Sequence, residues 1–348
     1  MPYPDNSTTC LVSIICPVYN EEEYIDACIE SIIKQDYPLE KLEVFFIDGM
    51  STDNTREIVK ESGRKYPFIK MLDNPDKAVS PALNIGIKAS RGEVIIRMDA
   101  HCIYPDNYIS VLVARLFELG ADNVGALCRT LPAKDNSQSR AVSIVSSHRF
   151  GVGNSLFRVG ADKIMEVDTV PFGCFKADIF ERIGFFDVDL TRNQDDEFNA
   201  RIIKNGGKIF LIPELEVDYF ARDTIAKMSK MFYQYGLFKP LVNKKLGQAA
   251  TIRQFFPPAF LVGLILGGIL CILFKHVIIV YLSVIAIYTL LCLYFACKSA
   301  KRHNDPKLIL LVPIAFFVIH ISYGRGYLWG ILRFQLSGKT NAAVEINR

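Results

Sequence analysis

Apolar residues recur along this chain in two rhythms, and the change falls near residue 255. Before it, short apolar runs alternate with amphipathic stretches. "CLVSIICPVYN" predicts a buried strand closed at Pro17, and "EEEYIDACIESIIKQ" then places Tyr24, Ile25, Cys28, Ile29, Ile32 and Ile33 on one helix face, with Asn20 positioned to cap it. "LEVFFID" reads as a second strand, broken by "GMSTDNT", where Asp53 or Asn54 caps the next helix. "SPALNIGIKAS" is a further helix, ended by Gly92, and "EVIIRMD" a further strand. Such β-α-β repeats predict an α/β domain with helices on both faces of a largely parallel sheet. Ligands on such sheets bind beyond the carboxyl ends of the strands. Those ends are Pro17 to Asn20, Asp48-Gly49 and Asp99-Ala100-His101, which should share one crevice.

After residue 255 the runs lengthen. Phe255 to Phe274 and Val277 to Cys297 carry no charge, and each is long enough to cross a hydrocarbon core. Only Lys275 and His276 separate them, which predicts a helical hairpin. A third run, Leu308 to Leu332, is interrupted by Pro313, His320 and Arg325. The loop "KSAKRHNDPK" before it is basic, so the positive-inside rule places it, and with it the N-terminal domain, in the cytoplasm. Upstream, Ile225, Met228, Phe232, Tyr235 and Phe238 recur at helical spacing among lysines. That pattern suits either a helix lying in the membrane interface or an amphipathic helix packed on the domain. The expected organisation is a cytoplasmic α/β domain over 1–223, an amphipathic interfacial segment over 224–254, a membrane region of about three helices over 255–332, and a polar tail over 333–348. The expected location is the inner cell membrane, multi-pass.

Composition sharpens this. Half of the 348 residues are hydrophobic, and the net charge of +3 is too small to argue for nucleic acid as a partner. The nine cysteines are scattered with no C-x-x-C pair, which argues against a zinc ribbon or a disulfide framework and for a reducing compartment. "MPYPDNSTTC" has neither the basic nor the apolar region of a signal peptide.

The first strand-helix turn, "PVYNEEE", has no glycine, so it is not a dinucleotide fingerprint, and no P-loop is present. A diphosphate can still be held through a divalent cation. Asp99 and His101 supply oxygen and nitrogen donors two residues apart, on one side of an extended segment. A polar strand end would look the same.

The ordered segments "SIICPVYNEEEYIDACIESIIKQ", "FFIDGMSTDNT", "ALNIGIKASRGEVIIRMDAH" and "NQDDEFNARI" resemble the motifs of family 2 glycosyltransferases with the GT-A fold, over about Leu11 to Asp223. Within that family the chain resembles the succinoglycan-type glucosyltransferases of exopolysaccharide synthesis. The resemblance implies a mixed, mostly parallel sheet flanked by helices, followed by C-terminal transmembrane helices. It implies that Pro17, Tyr19, Asn20 and Glu21 line a nucleobase pocket and that Asp48 contacts base or ribose. Asp99 and His101 match the D-x-D element that binds the donor diphosphate through a metal. Histidine in place of the second aspartate favours Mn²⁺, with Mg²⁺ able to serve. Aligned on Arg201, the acceptor-side motif E-D-x-E-L-x-x-R makes Asp195 the catalytic base; a one-residue slip would make it Asp196. Standing alone, "DDE" would read as an acidic helix start favoured by the helix dipole; after the nucleotide and metal motifs in order it does not.

The leading expectation is an inverting transfer from a nucleotide-sugar, UDP-glucose by default, to a polyprenyl diphosphate-linked glycan at the cytoplasmic membrane face. A processive polysaccharide synthase is the alternative within the family, although "YQYGLFKP" lacks the Q-x-x-R-W motif. A non-catalytic membrane scaffold is the alternative outside it.

Overall fold

The computed structural model describes residues 9–336. They divide into two units, one of residues 9–129 and 160–219, the other of residues 130–159 and 220–336.

The first unit is built on a mixed sheet. Its opening strands, β1 (Val12–Val18) and β2 (Leu42–Asp48), are buried along their whole length, as apolar strands covered on both faces must be. Around them lie α1 (Ile25–Ile33), α2 (Thr55–Lys65), β3 (Ile69–Asp73), α3 (Val79–Ala89) and β4 (Val94–Arg97). There follow β5 (Cys102–Ile103), α4 (Tyr108–Glu118) and β6 (Asn123–Leu131). The second unit then contributes α5 (Ser137–Ser146), α6 (Arg149–Val152) and α7 (Leu156–Val159). The chain returns through β7 (Met165–Glu166), β8 (Cys174–Lys176), α8 (Ile179–Ile183), α9 (Gln194–Lys204) and β9 (Ile209–Phe220).

Among the described residues the strand order is β3-β2-β1-β4-β8-β6-β9-β5, with β7 on β9. The first four strands are parallel, and β8 turns the sheet antiparallel against β4. Gly86 lets α3 lie close on β1 and β2, since a Cβ there would come within 2.5 Å of Ile15 and 2.9 Å of Ile47. Gly92, expected to end α3, has another role: its Cβ would meet Ser13 Oγ at 2.5 Å, and its amide donates to that oxygen at 2.9 Å.

The second unit is helical. α10 (Ile225–Leu246), α11 (Phe256–Leu273), α12 (Val277–His303) and α13 (Leu308–Gly330) succeed one another after β9. Three helices, over Ile252–Leu273, Val277–His303 and Leu308–Gln335, are long and apolar enough to cross a membrane. In the α11–α12 hairpin, Tyr281 lies over Gly267 and donates to the Leu264 carbonyl at 3.0 Å. α11 and α12 bury little of their apolar surface within the chain, whereas α13 is partly enclosed. Its Ala315, Phe316 and Ile319 share a core with Ala141, Val142 and Val145 of α5 and with Met228 and Phe232 of α10. The buried face of α10 packs on α5 and α13. Glycines bring α10 and α13 into backbone contact: a Cβ at Gly326 would run into the Tyr233 carbonyl, and one at Gly236 into that of Tyr323. Two of the interruptions in the third run make contacts within this unit. Arg325 lies over the Tyr233 ring, and His320 bridges the Tyr288 hydroxyl and the Phe150 carbonyl at 2.9 and 2.8 Å. The expected polar tail lies, from residue 337 on, outside the described residues.

Candidate active site

Parallel register brings the carboxyl ends of the first strands into line. Val18 pairs with Asp48, Asp48 with Asp73, and Ile15 with Arg97. The loops beyond carry backbone strain: Asn20, Met50, Lys77, Phe172 and Asn193 all have φ between 49° and 62°. Such non-glycine conformations cost of the order of 1–3 kcal/mol each and cluster at functional sites.

On the β1–β2 side, Asn20 does not cap α1. Glu21 to Tyr24 form their own first turn, with the Tyr24 and Ile25 amides both on the Glu21 carbonyl at 2.9 Å. The Asn20 side chain instead accepts from the Thr52 amide at 2.9 Å, and its own amide donates to Ser51 Oγ at 2.9 Å. Asp53 takes the capping role at α2, accepting from the Thr55 amide at 3.1 Å. The Glu21 amide donates to Thr55 Oγ1 at 2.8 Å. Tyr19 lies beside Gly49, where a Cβ would touch its ring at 3.4 Å. These bonds lock the two loops together, with Tyr19, Asn20, Glu21 and Asp48 at their junction and Pro17 inside the strand feeding it.

Asp48 is fully buried. Its Oδ2 accepts from the Ser51 amide at 3.1 Å and from Arg56, which also reaches Asp73 at 2.9 Å. Asp48 Oδ1 is buried and has no hydrogen-bond donor among the described residues. A buried carboxylate oxygen left in this way is costly until a ligand N–H or O–H meets it.

On the β4 side, the extended segment stops at Arg97, and the chain turns at Ala100-His101 before β5. Asp99 and His101 are therefore presented by a turn, not by the strand alternation that the sequence suggests. Tyr104 holds this turn, its hydroxyl accepting from the Asp99 amide at 2.7 Å. His101 Nδ1 lies 3.4 Å from Glu21 Oε1, and its ring packs near Tyr219 with centroids 5.4 Å apart.

Arg97 joins the two motifs. Its Nε donates to Asp99 Oδ1 at 3.0 Å, its Nη2 to Asp99 Oδ2 at 3.2 Å, and its Nη1 to Asp195 Oδ1. The guanidinium is buried, 5.9 Å from the centre of the Phe172 ring. Burial opposes its charge, but Asp195 and Asp99 outweigh that and hold its pKa above the ordinary arginine value. Burial pushes the Asp195 carboxyl up; Arg97 pulls it back, and the net position stays above the ordinary aspartate value.

Asp195 stands in the first turn of α9, just after the left-handed Asn193. That helix is fixed by its following residues. Phe198 stacks on Phe186 at 4.4 Å, and Asn199 bonds Asn123 and Thr169, each at 2.8 Å. Arg201 donates to Glu197 at 2.6 and 2.9 Å and to the carbonyls of Ile183 and Phe185 at 2.6 and 2.7 Å. The outer residues of the acidic motif are thus a clasp, and Asp195 is the one whose carboxylate meets Arg97.

Among the described residues no group of three or more His, Cys, Asp or Glu side chains could by itself hold a metal ion. Asp99 and His101 offer one carboxylate and one imidazole. That set fits a cation that brings its remaining ligands with it, as phosphate-bound divalent ions do. Sequence reasoning missed two arginines here. Arg97 had a signal, a cation inside an apolar strand; Arg56 had none.

Residues 13–184 match the family described as "Glycosyl transferase family 2". A dolichyl N-acetyl-alpha-D-glucosaminyl phosphate 3-beta-D-2,3-diacetamido-2,3-dideoxy-beta-D-glucuronosyltransferase of Methanococcus voltae is 28% identical, over 92% of this chain and 97% of that protein. The succinoglycan biosynthesis protein ExoA of Rhizobium meliloti is 26% identical, over 95% and 98%. Among solved structures, the mannosyltransferase PcManGT from Pyrobaculum calidifontis, in complex with GDP-Man and Mn²⁺, superposes with a TM-score of 0.57 at 18% identity. That match covers 91% of this chain and 90% of that one, and it shows the GT-A fold.

Proposed function

The chain belongs to the family 2 glycosyltransferases, and from that premise we propose that it moves one sugar, with inversion, from a UDP-sugar to a lipid-linked glycan at the cytoplasmic face of a membrane. The observation that carries the reading is the Arg97 bridge, which brings Asp99 of the cation-binding motif together with Asp195 of the acceptor-side motif.

In this reading the uracil N3–H meets Asp48 Oδ1, the buried acceptor that lacks a donor. Tyr19, Asn20 and Glu21 border the base, with Pro17 behind them. Asp99 and His101 would hold a divalent cation, Mn²⁺ in preference to Mg²⁺, which would supply positive charge to offset that of the departing diphosphate. Asp195 accepts the proton of the acceptor hydroxyl. The hydroxyl oxygen forms its bond to the anomeric carbon as the bond to the diphosphate oxygen breaks on the opposite side. An α-linked donor therefore yields a β-linked product. The raised pKa of Asp195 makes it a stronger base than an ordinary aspartate, and Phe172 beside Arg97 limits water there.

The lipid acceptor is supported by the Methanococcus relative, whose name gives a dolichyl phosphate-linked sugar and a 3-β linkage, aligned over nearly its whole length. Three helices long and apolar enough to span a bilayer suit an enzyme working on a membrane-held substrate. The basic run at the end of α12 supports a cytoplasmic orientation.

The test is the full chain in detergent, screened against UDP-sugars with Mn²⁺ or Mg²⁺ and a polyprenyl diphosphate-linked glycan. The expected outcome is UDP release with addition of a single β-linked sugar. Absence of UDP release from every donor would overturn the assignment, and a long product would replace it with polymerisation.

A further inference from the structure

We propose that Arg97 is a positioning residue that holds Asp195 beside Asp99 and, by offsetting their charge, makes the site take a divalent cation together with the nucleotide rather than alone. The inference rests on the roles given above to Asp99 and Asp195 and adds one that the family motifs do not contain.

The geometry is specific. Arg97 ends β4, its amide donates to the Gly173 carbonyl at 3.0 Å, and its side chain is 9% exposed, so the guanidinium cannot swing into solvent. Three donors from one rigid fork reach two carboxylates, two to Asp99 and one to Asp195. Asp195 sits at the start of a helix, and its carboxylate is anchored to the sheet by this cation. Without Arg97 the two carboxylates would repel each other, and Asp195 would leave its place.

The charge count follows. Asp99 and Asp195 contribute two negative charges and Arg97 one positive, so one net negative charge faces an incoming cation. Both oxygens of Asp99 already accept from the guanidinium. A free divalent ion must therefore bind next to a fixed positive charge. An ion carrying a nucleoside diphosphate arrives with its charge more than offset by the phosphates, so the guanidinium that repels the free ion attracts it. Arg97 thereby couples occupancy of Asp99 and His101 to the presence of the donor.

The test uses the full chain in detergent, with Mn²⁺ binding followed by electron paramagnetic resonance, with and without UDP. Wild type should bind Mn²⁺ about tenfold more tightly when UDP is present. In Arg97→Gln the affinity for Mn²⁺ alone should rise about tenfold, and the benefit of UDP should shrink. Its kcat should fall about a hundredfold with KM for the donor moved far less, because the base has lost its anchor. Arg97→Lys keeps the charge without the fork: Mn²⁺ binding should stay near wild type while kcat drops about tenfold. A merely structural arginine would weaken metal binding in both variants. If Arg97→Gln retains its near-ultraviolet circular dichroism yet binds free Mn²⁺ no better than wild type, the inference is wrong. If Arg97→Gln does not fold, the Lys variant decides: full kcat or altered free-Mn²⁺ affinity there overturns it. Wild type that binds no Mn²⁺ with UDP and releases no UDP would instead count against the function itself.

Discussion

Arg56 takes one oxygen of Asp48 and leaves the other buried with no donor among the described residues. The pair thus presents a single oriented acceptor at the end of β2. Asp48→Asn replaces charge with a group half as good at accepting. Its KM for the donor should rise about ten- to a hundredfold, in line with the loss of a hydrogen bond to a charged group, while kcat changes little. Arg56 keeps Asp73 at 2.9 Å, so the variant should still fold. Steady-state kinetics and calorimetry with UDP check both parts. Unchanged UDP affinity would remove Asp48 from the base pocket.

Asp195 sets the pH dependence. Its pKa is raised, chiefly by burial, so the neutral acid persists to higher pH than in an exposed aspartate. The base must be ionised to act, so kcat should fall as pH drops through this raised value, and the acid limb should lie above the ordinary aspartate range. Asp195→Asn should lower kcat by about 10² to 10⁴ and remove that limb, whereas Asp196→Asn should retain it. The sign for stability is opposite to that of a carboxylate whose pKa is lowered, because burial outweighs the Arg97 pairing here. A raised pKa contributes stability at low pH that is lost as Asp195 ionises, so the Asn variant should lose less stability between acid and neutral pH than wild type.

His101 should decide the metal. Wild type should turn over faster with Mn²⁺ than with Mg²⁺, and His101→Asp should move the ratio of the two rates toward Mg²⁺, because Mg²⁺ favours oxygen ligands. Rates measured over a concentration series of each ion test this; an unchanged ratio would show that the imidazole is not a ligand.

Gly326 tests the helical unit. A methyl there would press on the Tyr233 carbonyl and come within 2.9 Å of the Leu237 nitrogen, so α10 and α13 must part. Gly326→Ala should destabilise the chain by about 1–3 kcal/mol, read as a lower thermal midpoint in detergent. Gly263→Ala meets nothing within 4 Å and is the control.

Much of this was legible in the residues. β1 and β2 announce themselves as mostly apolar runs, as strands buried on both faces require, with the hydrogen-bonded Ser13–Glu43 pair as a buried polar exception. The ordered motifs put Asp99 and Asp195 on the list of candidate residues, and the structure brings both to Arg97. Arg97 showed only as a cation inside an apolar strand, since what gives it meaning is a carboxylate 98 residues later. The turn at Ala100-His101 was hidden because two residues carry no periodicity. The partner of α10 was hidden as well: an apolar face says that something covers it, but α13 is identified only by glycines whose spacing matters in three dimensions.

The grouping of α5 with α10 and α13 has a practical consequence for making this protein. Its Ala141, Val142 and Val145 are covered by helices that come more than eighty residues later, so a chain cut after residue 223 keeps α5 and loses its cover. Such a fragment would present a sticky apolar stripe to its neighbours in solution. A water-soluble version therefore needs redesign in the middle of the chain, at α5, as well as a stop codon before the apolar helices.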